Sequence, residues 1–156
     1  MAKKAAKSLP VMENRKAGHD YHIEETLECG IVLMGSEIKT VREGRVSLTE
    51  GFCRVEQYPP QITLLQVHIG EYRPAGSLGH KPIRSRTLLA NKGEILKIAR
   101  KMTKGMTIVP LKMYFKGPWC KVLIGVGKGK KAHDKRESMK QKDAKREMQR
   151  AMSTRA

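Results

Sequence analysis

Between Lys128 and Arg136 the chain sets five cations, Lys128, Lys130, Lys131, Lys135 and Arg136, around one imidazole, His133, and one carboxylate, Asp134. Cations this close together suit a polyanion, and the stretch reads as nucleic-acid contact. Gly125, Gly127 and Gly129 lead into it. Glycines there let the backbone turn away from a last strand or approach another backbone closely.

Three further groups carry chemistry. Asn14-Arg15-Lys16-Ala17-Gly18-His19-Asp20-Tyr21 mixes amide, cationic and aromatic side chains ahead of a strand. It is either a polar edge strand or turn, or a phosphate-and-base surface, since Arg and Asn make directed hydrogen bonds and a Tyr or His face can stack a base. Glu24 and Glu28 sit on the wet face of that strand. Solubility accounts for them; a carboxylate beside Gly30 can also accept from the Watson–Crick edge of guanine. Arg84 and Arg86, two apart, are either a solvated edge or a phosphate clamp.

Enzyme chemistry is missing from the pattern. There is no GxxxxGK[ST], no GxGxxG after a strand and no GxSxG elbow. Cys29, Cys53 and Cys120 are far apart, with neither CxxC nor CxxH spacing and no adjacent base. They predict no disulfide framework and no zinc site, and fit a reducing cytoplasm. His19, His22, His68, His80 and His133 are scattered, and His80 reads as a loop histidine rather than a ligand. No catalytic residue, cofactor or metal is expected.

The elements that must position these groups are mostly strands. Tyr21 to Leu33 alternates, with Tyr21, Ile23, Leu27, Cys29, Ile31 and Leu33 on one face, and bends at Gly30. Gly35 to Gly44 predicts a short helix capped by Ser36. Phe52–Tyr58 and Ile62–Ile69 predict a hairpin about Pro59-Pro60-Gln61, followed by a loop from Gly70 to Pro82. Leu88 and Leu89 belong to the turn before a helix that Asn91 and Glu94 cap. Met106–Phe115 and Trp119–Val126 form a second hairpin, with an edge or bulge at Pro110. The fold class is mainly β: a closed oligonucleotide-binding-type β-barrel with about three helices.

Charge divides the chain. The 156 residues carry 32 Lys and Arg against 15 Asp and Glu, a formal net charge of +17. Residues 128–156 alone hold 11 of the basic groups and four of the acids, with few large apolar residues. Three regions follow: a disordered basic lead-in at 1–13, a barrel at 14–127 and a basic tail at 128–156. Asp134 and Glu137 cap the tail, and Met139, Ala144, Met148 and Met152 give it a thin apolar line. It is expected to be disordered when free and helical when bound. No apolar run is long enough to span a membrane, and Met1 to Pro10 lacks the apolar core of a secretory signal.

The ordered set of segments is more specific than any one of them. Asn14-Arg15-Lys16-Ala17 with His19-Asp20-Tyr21, Ile23-Glu24-Glu25, Gly35-Ser36-Glu37-Ile38-Lys39, Arg84-Ser85-Arg86-Thr87-Leu88-Leu89, and Val109-Pro110-Leu111-Lys112 with Tyr114-Phe115-Lys116 precede Lys128-Gly129-Lys130-Lys131 and His133-Asp134-Lys135-Arg136. In this order, from about Asn14 to Met152, the chain resembles the small protein B family of SsrA-binding (tmRNA-binding) proteins of bacterial trans-translation. The resemblance implies a monomeric, cytoplasmic barrel that binds the tRNA-like domain of tmRNA near its elbow and D-loop. It implies Asn14, Arg15, His19, Tyr21, Glu28, Lys39, Arg84, Arg86, Lys121, Lys128, Lys130 and Lys131 for that surface. It also implies that the tail enters the vacant mRNA channel of a stalled ribosome, with His133, Asp134, Lys135 and Arg136 at the small-subunit decoding centre and His133 stacked on an rRNA base. Protein and tRNA-like domain together would then mimic a full tRNA.

Gly18 stands where the family often has Arg, His22 where an aromatic is usual, and Thr87 and Gly93 where basic residues are common. Composition alone fits a generic ribosomal or other structured-RNA-binding barrel equally well. An RNA-modifying enzyme lacks its site chemistry, and a membrane-surface tail lacks an aromatic.

Overall fold

The computed structural model describes residues 8–154. A short strand β1 (Met12–Glu13), a helix α1 (Arg15–Asp20) and an eleven-residue strand β2 (Tyr21–Ile31) come first. Helix α2 (Gly35–Arg42), strand β3 (Val46–Ser47), hairpin β4 (Phe52–Gln57) and β5 (Pro60–Leu65), and β6 (His68–Ile69) follow. A 3-10 turn over Arg73–Leu78 leads to β7 (Arg86–Leu89) and α3 (Lys92–Lys101). The long hairpin β8 (Met106–Lys116) and β9 (Trp119–Gly129) and the terminal helix α4 (Ala132–Thr154) complete the chain.

Strands β8, β4, β5, β7, β2 and β9 pair in that order, and β9 pairs back onto β8, so the sheet closes on itself. Closure removes the unpaired edges that an open sheet would expose. The interior takes the inward residues of every strand: Cys29, Cys53, Ile62, Leu64, Leu88, Ile108, Met113, Val122, Ile124 and Val126 are all buried. Ile95 and Ile98 of α3 close over this core. Each such side chain is worth about 1.5–3 kcal/mol of burial.

Several local expectations hold. In β2 the even residues His22, Glu24, Thr26 and Glu28 are exposed and the odd ones are not. Pro110 coincides with a register shift in the β8–β9 ladder between Pro110 and Lys112, as its missing N–H requires. Glu94 Oε2 accepts from Asn91 N at 3.3 Å and caps α3.

Others change. The stretch after Asn14 is neither edge strand nor turn but the helix α1, which with α2 and α3 makes three α-helices ahead of the tail. Leu88 and Leu89 are not in a turn; β7 contains them and bridges β5 to β2. The strand read as Ile62–Ile69 breaks at Gln66, whose φ of 59° ends β5 and leaves His68 and Ile69 to pair with β3. Strand β2 is irregular between Ile23 and Glu25 rather than at Gly30. Ser36 does not cap α2; Met34 is its N-cap, without a side-chain bond, and Ser36 Oγ turns to His80 Nδ1 at 2.9 Å.

The boundaries move as well. Met12 is buried and β1 pairs with β8, so the barrel's contacts begin before residue 14; residues 1–7 of the lead-in lie outside the described residues. At the other end β9 continues to Gly129. Helix α4 spans 23 residues and buries none of them.

Candidate nucleic-acid interface

The residues expected at the interface fall into three places. The first is the root of α4. Arg15 is exposed on α1, and Tyr21 and His22 of β2 register with Gly129 and Lys128 of β9. This pairing works because β9 lacks a side chain where β2 presses in. A Cβ on Gly127 would lie 2.1 Å from the His22 carbonyl oxygen, so the close-approach reading of that glycine is the correct one. Lys130 N then donates to Asp20 O at 2.7 Å, extending the ladder by one rung. Lys130 Nζ donates to Gly18 O at 3.2 Å and Ser138 Oγ at 3.1 Å. Asp20 Oδ1 lies 2.9 Å from His19 Nδ1 and 3.3 Å from Lys135 Nζ. The His19 hydrogen bond, and then Lys135, hold the Asp20 carboxyl below its ordinary value against partial burial. Lys128, Lys131, His133 and Arg136 are exposed.

Asn14 belongs to this corner but faces inward. It is 8% exposed; its Oδ1 accepts from Ala17 N at 3.2 Å, and its Nδ2 donates to Leu48 O at 3.2 Å and Pro110 O at 2.9 Å. The amide caps α1 and ties it to the barrel, which corrects its assignment to an RNA-facing surface.

The second place is the outer wall of the barrel. Glu28 lies mid-strand, so it shapes no turn. Its carboxylate accepts from the Tyr114 hydroxyl and sits 3.5 Å from Lys116 Nζ. The Tyr114 hydrogen bond is the main reason the Glu28 carboxyl is held down, and the same bond pushes the Tyr114 phenol up to about 12. Lys121 registers with both Gly30 and Tyr114, and with Glu28, exposed Leu89 and Asn91 it lines a shallow depression.

The third place surrounds Glu37, on the first turn of α2, and bears on the two arginines differently. Glu37 is fully buried and Arg86 is 1% exposed. Arg86 Nε donates to Glu37 Oε2 at 2.6 Å, Nη1 to Val67 O at 2.9 Å and Nη2 to Pro82 O at 3.1 Å. Each of its three nitrogens is hydrogen-bonded inside the fold, and the buried side chain presents no face to RNA. Arg84 is partly exposed and donates to Glu37 Oε1 through Nε at 2.7 Å and Nη2 at 2.6 Å. His80 is buried here too, with Nε2 near the Ile69 and Gly70 carbonyl oxygens and Nδ1 on Ser36, a stitch rather than a metal ligand. Lys39 remains outward, its Nζ 5.0 Å from the centre of the Tyr72 ring.

The thiols are unsuited to nucleophilic work. Burial pushes Cys29 up to about 12, Cys120 up to about 11 and Cys53 higher still. His133, Asp134 and Glu137 offer ligand atoms within 4.8 Å of one another. They are solvated at the α4 root with Lys131, Lys135 and Arg136 close in sequence, a field that disfavours a cation.

Sequence reading missed Tyr114, Lys116, Tyr72 and Asp20 as parts of these groups. An aromatic two residues from a lysine was a usable signal for Tyr114 and Lys116, whereas Tyr72 carried none, since its partner Lys39 lies 33 residues away. Asp20 carried none, because its partner Lys135 is remote in sequence.

Comparison with known proteins gives concordant results. A family model described as SmpB protein matches residues 11–154. An SsrA-binding protein of Latilactobacillus sakei subsp. sakei (strain 23K) is 51% identical over 146 residues, covering 93% of this chain and 92% of the relative. One of Bacillus subtilis (strain 168) is 49% identical over 140 residues, covering 89% and 88%. A chain in a solved structure described as "tmRNA-SmpB: a journey to the center of the bacterial ribosome" is similar with a TM-score of 0.66 at 42% identity, covering 79% of this chain and 86% of that one.

Proposed function

The chain belongs to the SmpB protein family, and on that premise we propose that it binds the tRNA-like domain of tmRNA and delivers it to stalled ribosomes. It acts there in trans-translation, the rescue of the ribosome with tagging of the unfinished peptide. The observation that carries this reading is the joint between two unlike parts. A closed barrel ends at Gly129, and a helix of 23 residues with no buried face starts at Ala132.

Each part suits a different RNA surface. The barrel offers fixed cations beside aromatic and acidic groups: Lys121 and Lys116 with Tyr114 and Glu28, and Lys39 with Tyr72. Such rigid, mixed groups favour a folded RNA with exposed loops, where phosphates and splayed bases lie within reach of one another. Arg15, His19, Tyr21, Lys128, Lys130 and Lys131 extend this surface toward the tail, and Arg84 contributes from its exposed edge. Helix α4 is a slim rod of alternating charge that fits an RNA-walled channel. In it His133, Asp134, Lys135 and Arg136 meet the decoding centre and the remainder follows the empty mRNA path. The helix gains its full order along that path, where phosphates replace the burial that the barrel does not provide. The RNA is held and presented, and the site of action is the cytoplasm.

The test is a titration of the full-length protein against the tRNA-like domain of tmRNA and against an elongator tRNA at physiological salt. A clear preference for the tmRNA domain is expected. Equal, salt-sensitive binding to both would overturn the assignment in favour of a generic structured-RNA barrel.

A further inference from the structure

The outer face of the barrel has a bare spot at Gly30. In the ladders this residue sits between Leu89 of β7 and Lys121 of β9. Its φ lies outside the left-handed region and the irregularity of β2 is elsewhere, so conformation does not demand a glycine. What the missing side chain leaves is room. Gly30 lines a mostly apolar groove of about 420 Å³, together with Val32, Leu89, Phe115, Trp119 and Lys121. A Cβ at Gly30 would stand 3.3 Å from the Leu89 Cβ and fill the floor of that groove. Trp119 is the only tryptophan of the chain and is 69% exposed. It precedes Lys121 by two residues on β9, so the indole and the cation share one face. Val32 and Leu89 are exposed as well. Large apolar side chains gathered in solvent on so charged a protein mark a contact surface. The groove also runs into the depression beside Glu28 and Asn91, because Leu89 and Lys121 line both.

We propose that this groove is a slot for one unstacked nucleobase, with the Trp119 indole as its stacking platform, bare Gly30 as its floor and Lys121 as the partner of the adjoining phosphate. The slot rests on the RNA-binding reading and adds a base contact to it. Its parts match the parts of a nucleotide. The indole and Leu89 offer apolar surface to a ring face, which every base possesses. Lys121 offers charge to the phosphate, and the Glu28 carboxylate lies on the adjoining wall for an edge N–H. A wholly apolar guest, such as a protein side chain, would strip water from Lys121 and return nothing. The groove is also open before binding, so a base displaces only water to enter it.

As the only tryptophan, Trp119 reports on its own contact. Its emission in the full-length protein, titrated with the tRNA-like domain of tmRNA, is expected to be quenched in step with binding. Trp119→Ala should weaken that binding about five- to 150-fold, while Trp119→Phe, which keeps a ring, retains most of it. The side chain is exposed, so the thermal midpoint of Trp119→Ala stays at the wild-type value. Removing the indole removes no charge and leaves the salt slope unchanged, whereas Lys121→Ala reduces that slope by about one. Gly30→Ala fills the floor and is expected to lower affinity and quenching together. Bound RNA with unquenched emission, or wild-type affinity in Trp119→Ala, would overturn the slot while leaving the RNA reading intact. A Trp119→Ala protein impaired only in ribosome association would also overturn it, in favour of a protein occupant. Wild type failing to bind the tRNA-like domain at all would sink the RNA reading, and the slot with it.

Discussion

Glu37 and Arg86 bury opposite charges against each other at 2.6 Å, 49 residues apart in sequence, where helix α2 leans on strand β7. Arg84 supplies a second cation to the same carboxylate from the solvent side. Burial lowers the Arg86 guanidinium from its usual value, while Glu37 holds it charged. Removing one member of such a set leaves the other buried and unpaired. Glu37→Gln is therefore expected to destabilise the barrel by about 3–5 kcal/mol, read as a lower chemical-denaturation midpoint. A loss below about 1 kcal/mol would show that the charges are solvated and the pair is incidental.

Gly127→Ala and Gly129→Ala should behave as opposites. The first Cβ meets the His22 carbonyl oxygen at 2.1 Å and cannot be accommodated without parting β2 from β9, whereas the second meets nothing within 4 Å. Thermal melts are expected to show a loss of about 3 kcal/mol or more at 127 and within about 0.5 kcal/mol at 129. Similar losses at the two positions would mean that general strand propensity, and not the close approach, governs this glycine run.

Phenolate absorbance should reveal the raised pKa of Tyr114. The hydrogen bond to Glu28 raises the Tyr114 phenol to about 12 from its ordinary value of 10. A raised pKa means that the folded state holds the proton more tightly. The stabilisation is thus complete below pH 10 and is lost between about pH 10 and pH 12. Tyr114→Phe removes this late titration, and Glu28→Gln moves it down. A Tyr114 midpoint at 10 in the wild-type protein would contradict the hydrogen bond.

Deleting Asp134–Ala156 separates the two parts. The truncated protein keeps β9 and the outer wall of the barrel, so affinity for the tRNA-like domain should persist while tagging on stalled ribosomes is abolished. A truncated protein that still tags would refute the role of the tail.

Salt dependence measures the electrostatic share. With about six phosphates neutralised, log affinity should fall against log salt with a slope near about −4. A slope near zero would exclude phosphate contact as the basis of binding.

The parts of the fold legible in the sequence are those whose own neighbours along the chain explain them. Strand β2 shows its alternation, α3 its Asn91–Glu94 cap and β8 its Pro110 bulge. Strand β7 is four residues long and carries an arginine on its buried side. Only Glu37, far away in sequence, makes that arginine acceptable inside a core, so no local pattern could mark it. The same limit applies to the interface. Lys128, Lys131 and His133 advertised themselves by density, while Asn14 and Arg86 looked identical to surface residues until their bonding partners Leu48, Pro110, Val67 and Pro82 were brought to them. Helix α1 has six residues and a central glycine, too short for periodicity to show.

Strand β9 gives the molecule an order of assembly. It supplies the closing partner of both β2 and β8, and Gly129 finds Tyr21 only after about a hundred residues of intervening chain. During synthesis, β2 and β8 must wait with an open seam until β9 has emerged. The cationic helix follows directly behind, so it emerges on a barrel that has just become complete. A copy whose own translation stops before β9 therefore lacks both the strand that closes the barrel and the helix that follows it.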